Sequence, residues 1–240
     1  MSLAGEILAR HLACFGELPE PDRAAIEDLD AEVRDLKRNG DALRTGDHPR
    51  HVVIVMSGML YRYEVGADGA RQVHSFYVPT EAPCLETLYI DYMDNNLGAV
   101  VDSRIALISH DLIYRIIDER PEARKLLWRQ TLVQAAIFRQ WLMRNSQLPA
   151  HGALAHFFCE MFVRAKAAGL VEGDSCELPL TQEFVADALG LTAVHTNRTL
   201  RVLRETGLVE WKAGRLKIKD LEKLSEIADF DPRYLHLRRA

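Results

Sequence analysis

Residues 180–220 read LTQEFVADALGLTAVHTNRTLRVLRETGLVEWKAGRLKIKD, and this stretch decides the fold of the C-terminal part of the chain. Thr181 is a suitable N-cap for a short helix, and Gly190 can adopt the left-handed conformation that ends one. Thr192 is a suitable cap for a second helix, which we expect to stop at Gly207. Two helices joined by a tight Gly-Leu-Thr turn are typical of a helix-turn-helix.

The same stretch ends in a basic hairpin. GLVEWKAGRLKIKD predicts two short strands joined by KAG, and a hairpin directly after the second helix is typical of a winged helix. Residues 192–219 hold seven Lys and Arg against two Asp and Glu, although the whole chain carries a net charge of −5. A local excess of positive charge on an acidic protein indicates an anionic partner. With a winged helix-turn-helix, we expect that partner to be double-stranded DNA.

The start of the second helix carries the side chains that we expect to meet DNA. In the major groove, Ala193, Val194, His195 and Arg198 would point toward the bases. Arg198 is the best candidate for reading a base, because a guanidinium can form two hydrogen bonds to a guanine edge. For Arg201, Arg204 and the wing lysines, phosphate contact and simple solvent exposure both fit the sequence. The expected DNA-binding residues are Thr192, Val194, His195, Arg198, Arg201, Lys212, Arg215 and Lys217.

The N-terminal half predicts a different architecture. Residues 1–40 have the apolar spacing of helices. From residue 42 to about residue 109, short β-rich runs alternate with turn residues, and GADG at residues 66–69 predicts a hairpin. Several short strands at close spacing predict a β-barrel or β-roll.

A long helix is expected between Pro121 and Pro149, because proline suits the first turn of a helix and cannot continue one. Its apolar residues lie on two faces, and both faces need cover. One face holds Leu126, Val133, Ile137 and Trp141, and the other holds Leu127, Ala135, Phe138 and Leu142. We expect one face to cover the β-domain and the other to meet a second subunit through Leu127, Phe138 and Leu142. Burial of the whole helix in its own domain is the alternative.

The order of these elements resembles the Crp/Fnr family of bacterial transcription regulators. The most specific match is LPLTQEFVADALGLTAVHTNRTLRVLRETGLV at residues 178–209, and residues 43–72 are similar to the start of the family's sensor β-roll. The resemblance implies an α+β protein with a cyclic-nucleotide-binding-like β-roll domain (1–120), a dimerisation helix (121–148) and a winged helix-turn-helix domain (149–240). It also implies a homodimer without enzymatic activity, which binds an inverted-repeat promoter site and contacts RNA polymerase to activate or repress transcription.

The sensor input is left open by the sequence. Family members that bind cyclic AMP carry a Glu and, further along, an Arg against the cyclic phosphate. Here Glu86 is present, but Asn96 stands at the Arg position, and the next Arg after Glu86 is Arg104. Burying a phosphate without a cation is costly, so we do not expect cyclic AMP to bind, although a cyclic-nucleotide-responsive regulator stays an alternative. The candidate effector pocket comprises Glu86, Arg62, Arg71 and Asn96.

Metal and haem chemistry give further alternatives. Cys14 alone cannot hold the iron–sulfur centre of the oxygen-sensing branch, whereas nine histidines leave a haem input open. A β-barrel metalloenzyme of the cupin type is a rival from another class, although HPRH lacks the alternation that places two imidazoles on one strand face. Its candidate ligands would be His48, His51, His74 and Glu86. A regulator that binds no effector is a further alternative, and we predict neither a cofactor nor a metal.

Composition and targeting signals point to one compartment. The four cysteines are far apart in sequence, which does not favour a disulfide framework. No apolar run approaches the roughly 18 residues that cross a bilayer, and the N-terminus does not resemble a signal peptide. We therefore expect a cytoplasmic protein with reduced thiols and no membrane partner.

Overall fold

The computed structural model describes residues 2–238, which divide into two compact units. The first unit comprises residues 2–64, 75–135 and 236–238, and the second comprises residues 65–74 and 136–235. The tip of the central β-hairpin therefore groups with the C-terminal part of the chain. Within residues 2–238, none of the helices has the length and apolar character needed to span a bilayer.

The first unit holds a β-roll that follows two short helices. In chain order, the elements of this part of the chain are α1 (Leu3–Ala13), α2 (Glu20–Glu27), β1 (Glu32–Leu36), β2 (Asp41–Leu43), β3 (His51–Ser57), β4 (Leu60–Val65), β5 (Arg71–Tyr77), β6 (Asn96–Ala99), β7 (Ser103–Ser109) and α3 (His110–Glu119). Residues 65–74, which include the end of β4 and the start of β5, group with the second unit. A 3-10 turn, Leu85–Leu88, lies between β5 and β6. The strands form sheets in the orders β1-β7-β3 and β2-β6-β4-β5.

Both sheets of the β-roll contribute to one apolar core. Antiparallel pairing of β3 with β7 places Val53 opposite Leu107 and aligns the inward-facing residues of the two strands. The core residues are Leu36, Val53, Val55, Leu60, Tyr77, Cys84, Met93, Leu97, Ala99, Ile105 and Leu107. Burial raises the pKa of the Cys84 thiol to about 12, so this cysteine is a core residue and not a reactive thiolate. The predicted β-roll is confirmed.

Strand β1 corrects the expectation of helix through residue 40. Helix α2 ends at Glu27, and the following chain pairs antiparallel with β7, with Val33 opposite Ala106. Leu29 and Leu36 are buried as the helical spacing suggested, but Val33 is 52% exposed. The backbone ladder with β7 outweighs the local periodicity, since tertiary pairing can override the local preference of a segment.

The predicted GADG hairpin is confirmed. β4 ends at Val65, β5 begins at Arg71, and the Gly66 amide donates to the Ala70 carbonyl across the loop at 2.8 Å. Gly69 has a φ of 82°, which lies in the left-handed region that glycine adopts without a steric penalty.

The long helix predicted between the two prolines is confirmed as α4 (Pro121–Gln147). One of its faces is buried in its own chain. The buried residues of this face are Ala123, Leu126, Leu127, Gln130, Val133, Ala136, Ile137, Trp141 and Arg144. The Gln130 side-chain amide lies in the first unit, where it donates to the Ala82 carbonyl at 3.0 Å.

The opposite face of α4 carries an apolar stripe, which we define as Trp128, Leu132, Ala135 and Leu142. Trp128 is 58% exposed, Leu132 51% and Leu142 74%. Phe138 is half-buried beside the stripe. The expectation that Leu127 meets a second subunit is corrected, because its side chain is only 4% exposed and packs inside its own chain.

The second unit holds the winged helix-turn-helix. After the second half of α4, its elements are α5 (Ala150–Ala167), β8 (Val171–Glu172), β9 (Ser175–Glu177), α6 (Gln182–Leu189), α7 (Ala193–Glu205), β10 (Val209–Lys212), β11 (Arg215–Ile218) and α8 (Leu221–Ala228). The strands form one sheet in the order β10-β11-β9-β8. Helix α5 is buried along most of its length and is the core of the unit.

A buried ionic cluster, the Glu160 cluster, joins α4 to α5. The Glu160 carboxylate accepts from Trp141 Nε1 at 3.0 and 3.1 Å, from Arg164 Nη1 at 3.1 Å and from the Tyr234 hydroxyl at 2.6 Å. The Glu160 and Arg164 side chains are 0% and 3% exposed. Three donors on one buried carboxylate satisfy most of its lone pairs, which burial of a charge requires.

A second guanidinium lies beside the Glu160 cluster. Arg144 is 0% exposed and stacks on the Trp141 ring at 4.3 Å, and burial lowers its pKa to about 10. Burial, followed by the charge of Arg144, lowers the pKa of His156 to about 4. His156 is therefore neutral near pH 7, and the cluster holds two guanidiniums against one carboxylate.

Candidate nucleic-acid interface

The two helices of the helix-turn-helix begin and end where the sequence predicts. Thr181 Oγ1 accepts from the Phe184 amide at 3.4 Å, and Gly190 ends α6 with φ 66° and ψ 33°. Thr192 Oγ1 then accepts from the His195 amide at 3.2 Å and caps α7. These caps satisfy backbone donors that a helix start otherwise leaves unpaired, and they fix where α7 begins.

The inner face of α7 packs against the unit through Leu200 and Leu203, which are 2% and 1% exposed. Thr196 and Thr199 are also buried, which the sequence reasoning missed. Their hydroxyls donate to carbonyls one turn earlier, Thr196 to Thr192 at 3.0 Å and Thr199 to His195 at 2.9 Å. A hydroxyl that is satisfied within its own helix can be buried without a further partner.

The outer face of α7 begins with Val194, which is 83% exposed, and continues through the exposed His195 and Arg198. Among the described residues, none forms an ion pair or a side-chain hydrogen bond with Arg198. Arg201 differs, because it pairs with Glu205 at 3.1 Å. Arg198 is thus an exposed cation whose hydrogen-bond donors are available to a partner.

The wing carries cations, two of which have acidic neighbours. Arg215 pairs with Glu172 at 3.4 Å, and Lys217 pairs with Asp174 at 3.2 Å. The acids come from the β8–β9 hairpin, which antiparallel pairing of β9 with β11 brings alongside the wing. In the sequence, the acidic run VEGD at residues 171–174 is the signal from which these ion pairs could have been predicted. Lys212 is exposed and makes no ion pair with any described residue.

Arg204 has a structural role that the sequence did not reveal. Its Nη2 donates to the Trp211 carbonyl at 3.0 Å and connects the end of α7 to β10. Trp211 in turn donates from Nε1 to the Leu178 carbonyl at 3.1 Å and packs on Phe158 with a centroid separation of 5.6 Å. These contacts join the end of α7 to the wing.

Arg71, the first residue of β5, belongs to the second unit, and its side chain packs against α6. Its guanidinium pairs with Asp187 at 2.7 Å and stacks over the Phe184 ring at 4.4 Å. Gln72 Nε2 also donates to the Asp187 carbonyl at 2.9 Å. Arg71 was expected in an effector pocket; the structure instead commits its charge to Asp187 on the first helix of the helix-turn-helix.

Comparison with known proteins extends these observations to the whole chain. Residues 152–227 match the family model of the Crp-like helix-turn-helix domain. The transcriptional activator protein FnrL of Cereibacter sphaeroides is 23% identical over 234 residues, which cover 95% of this chain and 92% of the relative. The chain is a Crp/Fnr family transcriptional regulator. Regulators of this family bind DNA as dimers.

Two further similarities support the assignment. The transcriptional activator protein FnrA of Stutzerimonas stutzeri is 23% identical to the regulator over 207 residues, or 86% of this chain and 84% of the relative. The structure of FixK2 from Bradyrhizobium japonicum has the same fold, with a TM-score of 0.74 at 20% identity over 83% of this chain and 98% of that one.

Inside the β-roll, two of the expected effector residues are bound to each other. Arg62 is 6% exposed and forms a short ion pair with Glu86. Its Nε donates to the Tyr77 hydroxyl at 3.1 Å, and its Nη2 donates to the Pro83 carbonyl at 2.6 Å. Asn96 is engaged elsewhere, because its Oδ1 accepts from the Thr45 amide at 3.1 Å. The Glu86 carboxylate is thus already neutralised by a residue of the roll.

The histidines proposed as metal ligands do not gather into a site. Within residues 2–238, no group of three or more His, Cys, Asp and Glu residues has an arrangement that could hold a metal ion. His48 uses Nδ1 in a contact of 2.6 Å with the Asp91 carbonyl oxygen. His51 is the first residue of β3, and His74 lies in β5. The cupin alternative is therefore not favoured.

The Arg62–Glu86 pair leads to a prediction about cyclic nucleotides. Calorimetric titration of the regulator with cyclic AMP or cyclic GMP at micromolar concentrations should give no saturable heat. A cyclic phosphate would find Asn96 where a cation is needed, and any ligand group that binds Glu86 would have to displace Arg62 from it. Displacement would leave a buried charge without its partner, which is strongly unfavourable. A titration with one site per chain would contradict the prediction.

Proposed function

We propose that two copies of the regulator bind an inverted-repeat DNA site, in which Arg198 reads a base and the wing contacts phosphates. The observation that carries the proposal is the exposed start of α7, where the capped first turn presents Val194, His195 and an Arg198 without an ion-pair partner among the described residues. A recognition helix of this kind reads base edges with its N-terminal residues.

The apolar stripe on α4 supports the dimer. Trp128, Leu132 and Leu142 recur at helical spacing on the side opposite the buried face, and each is more than half exposed. An exposed apolar stripe of this kind is typical of a helix–helix seam. Two-fold symmetry would then place the half-sites about one helical turn, 10–10.5 base pairs, apart.

The wing cations differ in how readily they can neutralise phosphate. Arg215 and Lys217 each have a carboxylate within 3.4 Å, so DNA must compete with these internal pairs. Lys212 has no such pair among the described residues. We therefore propose Lys212 as the main phosphate contact of the wing. Phosphate contacts carry no sequence information, so in this proposal the base contact of Arg198 carries it.

Replacing Arg198 with alanine should weaken binding to the best inverted repeat by about 1–3 kcal/mol and relax the preference at one position in each half-site. The reason is that the guanidinium forms hydrogen bonds with one base edge only. The measurement is selection from random DNA, followed by titration of the selected site and of single-position variants.

Lys212→Ala is the matched control for Arg198→Ala. It should weaken binding to all sequences alike and lower the slope of log K against log salt by about 1. If Arg198→Ala keeps the selected sequence and affinity, or if it behaves like Lys212→Ala, then α7 does not read DNA through Arg198. If selection from random DNA yields no symmetric site, the dimeric mode of binding is wrong.

The role in transcription follows from the relatives. FnrA and FnrL are named transcriptional activators. We propose that this regulator acts likewise in the cytoplasm, through contact with RNA polymerase and without enzymatic activity. A promoter fused to a reporter, with its inverted repeat intact or scrambled, tests activation directly.

A further inference from the structure

The outward face of α7 presents an amide side chain beside Arg198. Residues three and four positions apart lie on the same face of a helix. The exposed side chains that recur at this spacing are Val194, Asn197, Arg198 and Arg201. Asn197 is not among the DNA contacts that the sequence predicted. Its position nevertheless places it on the face that we propose as the reader of base edges.

Asn197 is held by the other helix of the helix-turn-helix. Its Nδ2 donates to Oε1 of Gln182, the first residue of α6, at 3.1 Å. Among residues 2–238, no other side chain forms a hydrogen bond with Asn197. The Thr181 cap and the buried Phe184 and Val185 fix the start of α6. The acceptor for Asn197 therefore comes from an anchored part of the backbone.

The contact with Gln182 leaves a defined set of polar groups free on Asn197. A primary amide has two N–H donors and a carbonyl oxygen that accepts. Gln182 takes one N–H of Asn197, so the second N–H and Oδ1 stay available to a partner. In the major groove, a donor beside an acceptor matches N7 and the N6 amino group of adenine.

Holding Asn197 before DNA arrives favours discrimination between bases. A side chain that already has a partner loses less conformational freedom when it binds. A base with a different pattern of donors and acceptors would leave Oδ1 or the second N–H without a partner in the interface, which is unfavourable. The contact between the two helices thus bears on which base is preferred.

We propose that Gln182 positions Asn197 to read an adenine in each half-site, through a hydrogen bond donated to N7 and one accepted from N6. The inference rests on the proposed function, since it requires α7 in the major groove. Asn197 makes the base contact, and Gln182 acts through Asn197 as a positioning residue. Because Asn197 and Arg198 are adjacent in the helix, the adenine and the base read by Arg198 belong to the same half-site.

Changing a single atom of the DNA tests the base contact with the full-length regulator. 7-Deazaadenine lacks the N7 acceptor and keeps the pairing of adenine with thymine. At one adenine of each selected half-site, it should weaken binding of the wild type by about tenfold and leave binding of Asn197→Ala unchanged. Arg198→Ala is the matched control and should keep the whole effect. If each adenine, when replaced, weakens the wild type and Asn197→Ala equally, Asn197 reads no adenine.

Variants of Gln182 separate positioning from packing. Gln182→Glu keeps an acceptor at the same length and should retain the preference for adenine, although its charge weakens binding to all sequences. Gln182→Met has a similar length without the acceptor and should lower the preference about threefold. Gln182→Ala serves the same purpose if the Met variant does not fold. An equal preference for adenine in the Glu and Met variants would remove Gln182 from the proposal.

The outcomes distinguish this inference from the proposed function. A symmetric site that depends on Arg198 and not on Asn197 overturns the adenine contact alone. If selection from random DNA yields an asymmetric site, the dimeric mode of binding is wrong, and the 7-deazaadenine comparison on that site still decides the role of Asn197. Binding without any preferred sequence overturns both.

Discussion

Replacing both Leu132 and Leu142 with glutamate should convert the regulator to a monomer and weaken its binding to an inverted repeat by more than about a hundredfold. Each leucine is more than half exposed in the single chain, so the change removes little packing within the chain. In a dimer built on the apolar stripe, burial of each leucine contributes about 1.5–3 kcal/mol, and the new carboxylates would repel one another across the two-fold axis. Losing two such contributions amounts to at least about 3 kcal/mol, or a factor of more than a hundred.

The dimer experiment needs a control on the same helix. Arg129→Glu changes the charge of an exposed α4 residue that lies beside the stripe and outside it. It should stay dimeric in sedimentation equilibrium and retain DNA affinity. A double leucine variant that is folded and dimeric, with full affinity for the inverted repeat, would show that the subunits pair through another surface.

Glu160→Ala should lower the free energy of unfolding by about 3–5 kcal/mol. The carboxylate is fully buried and takes hydrogen bonds from Trp141, Arg164 and Tyr234. Its removal leaves the buried Arg164 guanidinium without its carboxylate partner and also removes the negative charge that favours the buried Arg144 guanidinium. Urea unfolding followed by tryptophan fluorescence measures the loss, because Trp141 is one of the donors.

An exposed pair with the same helical spacing is the matched control for Glu160→Ala. Glu205 pairs with Arg201 four residues away at 3.1 Å, as Glu160 does with Arg164, but these side chains are 64% and 81% exposed. Glu205→Ala should therefore change stability by less than about 1 kcal/mol. If the two variants lose the same stability, the Glu160 cluster does not hold α4 to α5.

The sequence predicted those elements whose boundaries are set by local chemistry. Thr181, Gly190 and Thr192 act through their own backbone neighbours, so their effect is visible in a short window of sequence. Pro121 and Pro149 bounded α4 for the same reason.

What the sequence did not reveal depends on residues far apart in the chain. β1 forms because β7, some seventy residues later, offers a ladder. Arg71 finds Asp187 across 116 residues, and Tyr234 reaches Glu160 across 74. A pattern within one segment holds no information on such partners. For α4, the sequence predicted two apolar faces but assigned Leu127 to the wrong one, since only packing distinguishes the buried Leu127 from the neighbouring exposed Trp128.

The acidic hairpin beside the wing bears on how the regulator would search a genome. Glu172 and Asp174 already pair with Arg215 and Lys217, so in the proposed complex DNA phosphates would have to displace these carboxylates before contacting the two cations. This penalty applies equally to every sequence, since it acts through the backbone contacts alone. Binding to random DNA depends almost entirely on such contacts, so the protein would dissociate from random DNA sooner. With about 10⁶–10⁹ competing sites in a genome, shorter residence on each leaves more of the protein free to find its operator.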